Sequence, residues 1–335
     1  MARGARILFS TLIAASGLAG LVSLAYKDEL RRARDTASGG SVIAATLAGP
    51  IEYAEKGKGI PLLSIHGAGG GYDQGLANAV ELVGDGYRVI APSRFGYLRT
   101  SVPSDTSPAA QADAHAALLT ELNVSKAIVM GVSAGARSAL EFALMHPDRL
   151  TALILIVPGT YSPANPVRIE ASRGSELAFW MVNYGADFAW WAAEKVTPST
   201  LIRFIGVPPE VVCDSPQAEQ ERVMSIVRSI EPLSSRFAGI NIDSNPNLTA
   251  LPLENISVPT LIISARDDLF NTLPAAEYAA SRIPGAELIV YDTGGHLMVN
   301  HGKDVRDAVS RFLDFAGPAA LPPSVPNAAC GKVHK

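Results

Sequence analysis

Ala127-Ile128-Val129-Met130-Gly131-Val132-Ser133-Ala134-Gly135 is the stretch that decides the fold. Its first five residues form an unbroken run without polar alternation. That pattern belongs to a strand covered on both faces, as parallel strands are. Residues 134–145 follow as a helix. Between the two, Gly131-Val132-Ser133-Ala134-Gly135 fits the pattern G-x-S-x-G. A strand that turns straight into a helix forces the serine backbone into an awkward conformation, and small residues at the −2 and +2 positions make room for it. The hydroxyl is then presented above the sheet edge, near the positive end of the helix that follows. The five-residue pattern is common; strand before and helix after make it specific. Ser133 is the candidate nucleophile.

Outward from this point, strand and helix patterns alternate. Residues 42–47 and 51–54 read as strands joined by a Gly49-Pro50 turn. Residues 61–65 form a short buried strand that ends in His66-Gly67-Ala68-Gly69-Gly70-Gly71. Residues 87–91 are another strand, and Ser107-Pro108 opens a helix, serine at the N-cap and proline in the first turn. Strands follow at 153–157, 260–264 and 287–291, with a last helix over 305–315. Such alternation predicts an α/β domain with a doubly wound, mostly parallel sheet. It stops between Pro158 and about Leu251, a segment that holds all three tryptophans, Trp180, Trp190 and Trp191. This is read as an inserted helical cap. The expected organisation is an N-terminal membrane anchor or signal segment with its linker (1–40), core (41–157), cap (158–250), core again (251–317) and a loose Pro/Ala-rich tail (318–335).

With 335 residues the chain is long enough for one large core carrying an inserted subdomain. Hydrophobic residues at 48% and charged residues at 18% exclude a disordered chain. The net charge of −4 argues against nucleic acid as a partner, which would need a basic face. Cys213 and Cys330 lie far apart, with no metal spacing and no inferable disulfide. At the N-terminus Arg3 and Arg6 precede an uncharged stretch over 7–26, long enough to cross a bilayer as a helix. Ser23-Leu24-Ala25 also supplies a small-x-small cleavage pattern. The stretch is therefore read as a retained anchor or a cleaved signal, with a buried helix of the fold as the third reading. Membrane anchoring or export is expected. Lys27, Arg31, Arg32 and Arg34 beyond the stretch leave the side of the membrane open.

A serine hydroxyl needs a base. His115 and His146 fall on helix patterns and His334 in the tail. His66 opens the glycine loop, where its ring is expected to brace the backbone. His296 stands in Thr293-Gly294-Gly295-His296, a loop after the last strand at the same sheet edge as Ser133. Topology and loop chemistry choose His296, with His301 as the rival. An acid is expected in Asp267-Asp268, just after the strand over 260–264. Adjacent residues of an extended segment point opposite ways, so only one of the two faces the histidine.

The set formed by His66-Gly67-Ala68-Gly69, Arg94-Phe95-Gly96-Tyr97, the turn at Ser133, Asp267-Asp268 and Gly295-His296 resembles the α/β-hydrolase family, over about residues 46–315. The resemblance implies a nucleophile, acid and base in that chain order. The family's spacing selects Asp268 as the acid. The backbone N–H groups of Ala68 and Ala134 become the oxyanion hole, and one such donor is typically worth ~3 kcal/mol of barrier. Ala265-Arg266-Asp267-Asp268 departs from the family's frequent Gly-x-x-Asp. A serine nucleophile argues against the dehalogenase and epoxide-hydrolase branches, which use aspartate.

Other motifs fail. Tyr72 stands where a dinucleotide fingerprint wants its third glycine, and there is no phosphate loop and no H-E-x-x-H zinc motif. No cofactor and no metal are expected. The family analogy favours a small carboxylic ester as substrate, cleaved through an acyl-serine. Thioester, lactone, amide and carbon–carbon bonds are open to the same residues, as is peracid formation, and a non-catalytic ligand-binding protein of the same fold is the alternative from another class. Trp180, Trp190 and Trp191 are candidates for lining an apolar substrate pocket; the competing reading makes them the cap's own core.

Overall fold

The computed structural model describes residues 2–164, 187–244 and 248–316, with side chains from residue 16 onward except Leu18. The cap segment 165–186, with Trp180, and the tail expected over 318–335 lie outside the described residues.

Eight strands form one sheet: β1 (Val42–Thr46), β2 (Gly49–Lys56), β3 (Ile60–Ile65), β4 (Tyr87–Pro92), β5 (Ala127–Val132), β6 (Leu150–Ile156), β7 (Thr260–Ala265) and β8 (Glu287–Tyr291). Their order is β1-β2-β4-β3-β5-β6-β7-β8. β1 and β2 form an antiparallel hairpin, and β2 lies antiparallel to β4; the other six strands run parallel. The expected doubly wound, mostly parallel sheet is what is found. Its central strands are mostly apolar, without polar alternation, because neighbouring residues enter different cores. Leu63, Ile65 and Val129 pack under helices α3 (Pro108–Glu121) and α4 (Gly135–Met145). Leu62, Ile128 and Met130 pack on the opposite face under α2 (Tyr72–Val83). Each such fully buried side chain contributes roughly 2 kcal/mol. The chain moves from β3 outward to β4 and then back past β3 to β5. The crevice above the carboxyl ends of β3 and β5 is therefore the switch point where such sheets bind ligands.

Helix α3 starts as its sequence requires, with Pro108 in the first turn and the Ser107 side chain accepting the Ala110 N–H at 3.1 Å. Its buried face holds His115, which is 0% exposed; Nε2 meets the Ser138 hydroxyl at 3.2 Å, and Nδ1 has no hydrogen-bond partner among the described residues. Burial drives its pKa down to about 3, helped by the charge of Arg94. A histidine depressed in the folded state lends stability that is complete above the unfolded value near 6.5 and is lost as pH falls toward 3. His115→Leu is accordingly expected to flatten acid unfolding, by about 1.4 kcal/mol per pH unit across that window. Denaturant titrations of both proteins at pH 4 and pH 7 measure it, and equal slopes would show that another group sets acid stability.

Two expectations change, and two helices are added: α2 and the helix over Leu273–Arg282 complete the layers around the sheet. The linker expected at the end of the 1–40 segment is helical instead: α1 spans Ala2–Gly39. Asp28 pairs with Arg31 and Arg32 one turn on, and the helix leans on its surroundings. Tyr26 packs edge-on against Phe188 at 5.1 Å, Glu29 accepts the Trp191 indole N–H at 2.8 Å, and the Tyr72 hydroxyl donates to the Thr36 carbonyl at 3.1 Å. Among the described residues, no helix is long and apolar enough to cross a membrane, so the anchor expected over 7–26 finds no support there.

Candidate active site

Ser133 sits between β5 and α4 with φ of 52°, in the left-handed region that costs a non-glycine residue energy. The surrounding backbone over-determines it: the Ser133 N–H donates to the Ile156 carbonyl at 2.9 Å, and its carbonyl accepts the Gly159 N–H at 3.0 Å. The flanking glycines are steric necessities. A Cβ at Gly131 would lie 2.7 Å from Ala139 Cβ, and one at Gly135 would lie 2.5 Å from the carbonyl oxygens of Ile65 and His66. The G-x-S-x-G pattern is thus the imprint of α4 crossing close over β3 and β5.

The loop after β3 is fixed atom by atom. His66 accepts the Arg94 N–H on Nε2 at 2.9 Å, while Nδ1 meets the Gly67 carbonyl at 2.7 Å. Only the neutral Nδ1–H tautomer makes both bonds. Burial, and next the Arg94 charge, press the ring's pKa well below the usual histidine range. The ring does brace the loop. Gln74 Oε1 accepts the Gly67 N–H at 3.0 Å, and the Tyr97 hydroxyl accepts the Gly69 N–H at 3.3 Å. The Arg236 guanidinium donates to the Gly70 carbonyl at 2.6 Å. Among the described residues, the N–H groups of Ala68 and Ala134 find no partner. Both are donors left over, one on this loop and one directly after Ser133.

The loops after β7 and β8 meet. His296 Nδ1 lies 2.8 Å from Asp268 Oδ2, both groups buried. Asp268 is itself held: Oδ1 accepts the Phe270 N–H at 2.9 Å, and the Thr272 hydroxyl donates to Oδ2. Its neighbour Asp267 turns the other way and accepts the N–H groups of Gly294 at 3.1 Å and Gly295 at 2.7 Å. One aspartate contacts the imidazole; the other ties down the loop that carries it. The cap joins in, since the His296 N–H donates to the Gly206 carbonyl at 3.0 Å. His301 stands apart, stacked on Tyr291 at 4.4 Å and 3.4 Å from Asp304. His146 contacts Asp113 on the surface side of α3.

Over residues 60–299 the sequence matches the family model of the alpha/beta hydrolase fold. The chain belongs to the α/β-hydrolase family. It is 27% identical over 254 residues to 2-hydroxy-6-oxo-6-phenylhexa-2,4-dienoate hydrolase of Burkholderia cepacia, covering 73% of this chain and 84% of that protein. It is 26% identical over 273 residues to Lipase 3 of Moraxella sp. (strain TA144), covering 78% and 80%. An alpha/beta hydrolase fold protein from Nakamurella multipartita has a similar structure, with a TM-score of 0.65, 25% identity, and 82% and 99% of the two chains covered.

As in an α/β-hydrolase with a lid, helices stand over the switch point: α5 (Asp187–Val196), α6 (Pro198–Phe204), α7 (Pro209–Cys213), α8 (Gln217–Ser229) and α9 (Phe237–Ser244). Between cap and core is a cavity of about 140 Å³ that Ser133, His296, Ala68 and Gly69 line from below. Its upper wall is apolar, with Trp190, Phe204, Ile226, Ile230 and Ile240 from the cap and Phe270 from the core. Trp190 serves both expected roles, since it is 0% exposed in the cap's own core and also forms part of this wall. Trp191 does neither at the cavity: its indole faces α1 through Glu29 and Tyr26. The aliphatic wall escaped the sequence reading because isoleucines on a cap helix carry the same pattern whether they face a core or a ligand. A larger cavity of about 460 Å³ lies beyond Ala134, lined by Arg94, Arg137 and Asp243 but by neither Ser133 nor His296.

Proposed function

We propose that this α/β-hydrolase is an esterase that cleaves a neutral, apolar carboxylic ester through an acyl-serine intermediate. The observation that carries the reading is the buried Asp268–His296 bond beside an apolar cavity that also exposes Ser133. With Nδ1 committed to Asp268, His296 is left with Nε2 as its working base. Nε2 takes the Ser133 proton as Oγ attacks the ester carbonyl. The negative charge that develops on the carbonyl oxygen is met by the Ala68 and Ala134 N–H groups, the two donors otherwise without a partner. The imidazolium, stabilised by Asp268, then gives its proton to the departing alkoxide, which leaves as the alcohol. Water repeats the sequence on the acyl-serine and releases the acid, and Ser133 recovers its proton.

Charge at the cavity favours an ester over the anionic dienoate in the name of the Burkholderia relative. Among the described residues the lining contains no lysine and no arginine, so nothing there compensates a carboxylate that must leave water. A neutral acyl chain gains about 25 cal/mol for each Å² of apolar surface it buries against the isoleucines and aromatics. Neutral esters of graded acyl length, assayed beside a dienoate of the kind in that relative's name, test the assignment. Turnover of the esters with an optimum at a defined chain length is the expected result. Turnover of the dienoate in preference to every ester would overturn it.

A further inference from the structure

The segment 235–243 of the cap is fastened to the core beside the glycine loop. The Leu98 N–H donates to the Ser235 carbonyl at 2.7 Å, and the Gly239 N–H donates to the Gly96 carbonyl at 2.9 Å. At the end of this segment stands Asp243, on α9 and buried. Its carboxylate takes both terminal nitrogens of Arg94, Nη1 to Oδ1 at 2.9 Å and Nη2 to Oδ2 at 2.5 Å, and receives the Tyr97 hydroxyl on Oδ2 at 2.5 Å. Arg137 adds a charge contact at 3.6 Å. Burial, the largest single influence, would raise the pKa of the Asp243 carboxyl, but the charge and hydrogen bonds of Arg94, with Arg137 and the Tyr97 hydroxyl, together hold the group below its ordinary range. Burial, followed by the Asp243 charge, lifts the Tyr97 phenol well above its own. The carboxylate is thus the acceptor, and the phenol keeps its proton.

That assignment gives the bond network a direction. A phenol has one proton to donate, and Asp243 takes it. What remains on the Tyr97 oxygen is acceptor capacity, and the Gly69 N–H points to it at 3.3 Å. Gly69 directly follows Ala68, whose own N–H has no partner. The same phenol ring packs edge-on against the His66 ring at 4.7 Å, and Arg94 Nε donates to the His66 carbonyl at 2.9 Å. One cap carboxylate therefore reaches the loop by two routes, through Tyr97 to Gly69 and through Arg94 to His66.

We infer that Asp243 is a positioning residue: from the cap, through Tyr97, it fixes the Ala68–Gly69 peptide, next in the chain to the Gly67–Ala68 peptide whose N–H faces the oxyanion, so that turnover depends on the last cap helix being seated. The inference rests on the esterase reading for its kinetic consequence and on the bond network alone for its mechanical one. Because a donor misplaced by about 1 Å can cost on the order of 10²-fold in rate, losing this hold acts on the transition state and leaves ground-state binding alone.

The test uses Tyr97→Phe, which removes one oxygen and keeps the Arg94–Asp243 pair, alongside Asp243→Ala and Asp243→Asn. Tyr97→Phe is expected to lower kcat by about 30-fold with KM within about twofold, and to weaken a trifluoromethyl ketone, which forms a tetrahedral oxyanion on serine, by the same factor. Asp243→Ala should behave alike, and Asp243→Asn, whose amide oxygen still accepts the phenol proton, should recover part of the loss. Amide hydrogen exchange over residues 66–71, measured on the same proteins, should quicken in Tyr97→Phe and Asp243→Ala. An unchanged kcat in Tyr97→Phe, or a rise in KM alone, overturns the inference, as does unaltered exchange in the loop. A wild-type protein inert toward every ester sinks the esterase reading instead, and the exchange measurement still decides whether Asp243 holds the loop.

Discussion

Replacing Ser133 by alanine is expected to abolish ester turnover and labelling by a fluorophosphonate probe, with the fold unchanged. The change removes one oxygen and no packing. The bonds that hold residue 133 in its strained conformation run through its backbone, to Ile156 and from Gly159, and alanine keeps them. The steric clearances at Gly131 and Gly135 are likewise untouched. What disappears is the hydroxyl that the proposed mechanism has His296 activate to form the acyl-serine. Enzymes with a Ser-His-Asp set lose on the order of 10⁶ in kcat when the serine goes, and the residue that remains comes from the oxyanion donors and binding. Circular dichroism and thermal melting check the fold, and steady-state rates with mass-spectrometric mapping of the labelled peptide check the chemistry. Labelling that persists at a different serine would place the nucleophile elsewhere and remove the basis of the proposed mechanism.

The sheet and the serine turn were readable in advance for the same reason: each is a place where backbone geometry dictates residue type locally. Strands covered on both faces show no polar alternation, so β5, β6 and β7 stand out as short, mostly apolar runs. The close passage of α4 over β3 and β5 admits no Cβ at residues 131 and 135, and the sequence records it as two glycines. The Asp267-Asp268 pair was visible for its position just after β7. Other parts depend on distant partners and leave no local trace. Nothing in the order of residues announces that Trp191 turns toward Glu29, or that Arg94 and Tyr97 meet Asp243 nearly one hundred and fifty positions further on. The end of the 1–40 segment reads as a linker because the stabilisation of its helix is tertiary, supplied by Trp191, Phe188 and Tyr72. Helix propensity alone does not reveal such docking.

Asp268→Asn is expected to cost about 10⁴ in kcat with the fold intact, the loss seen when the acid of such a triad is made an amide. The carboxylate meets Nδ1 of His296 at 2.8 Å, and its other contacts, the Phe270 N–H and the Thr272 hydroxyl, are donors as well. Every partner of this group therefore requires an acceptor. Asparagine can offer only one carbonyl oxygen, and the Phe270 N–H and Thr272 hydroxyl compete for it. The amide NH₂ is then turned to Nδ1, which must become the acceptor; the imidazole proton moves to Nε2, and the base can no longer take the Ser133 proton. The imidazolium also loses its counter-charge in a buried site. The neighbouring substitution differs in kind. Asp267 touches no imidazole atom; it holds the N–H groups of Gly294 and Gly295. In Asp267→Asn one oxygen still accepts the closer of these, at Gly295, and one bond is lost, worth about 1 kcal/mol of stability. Its kcat should stay within about tenfold of wild type, since a loosened loop shifts His296 without changing its tautomer. Purified variants compared in kcat, and in the pH dependence of kcat/KM that reports the base, separate the two aspartates. Should Asp267→Asn prove the inactive one while Asp268→Asn turns over normally, the acid would be Asp267 and the Asp268–His296 bond would have no part in the reaction.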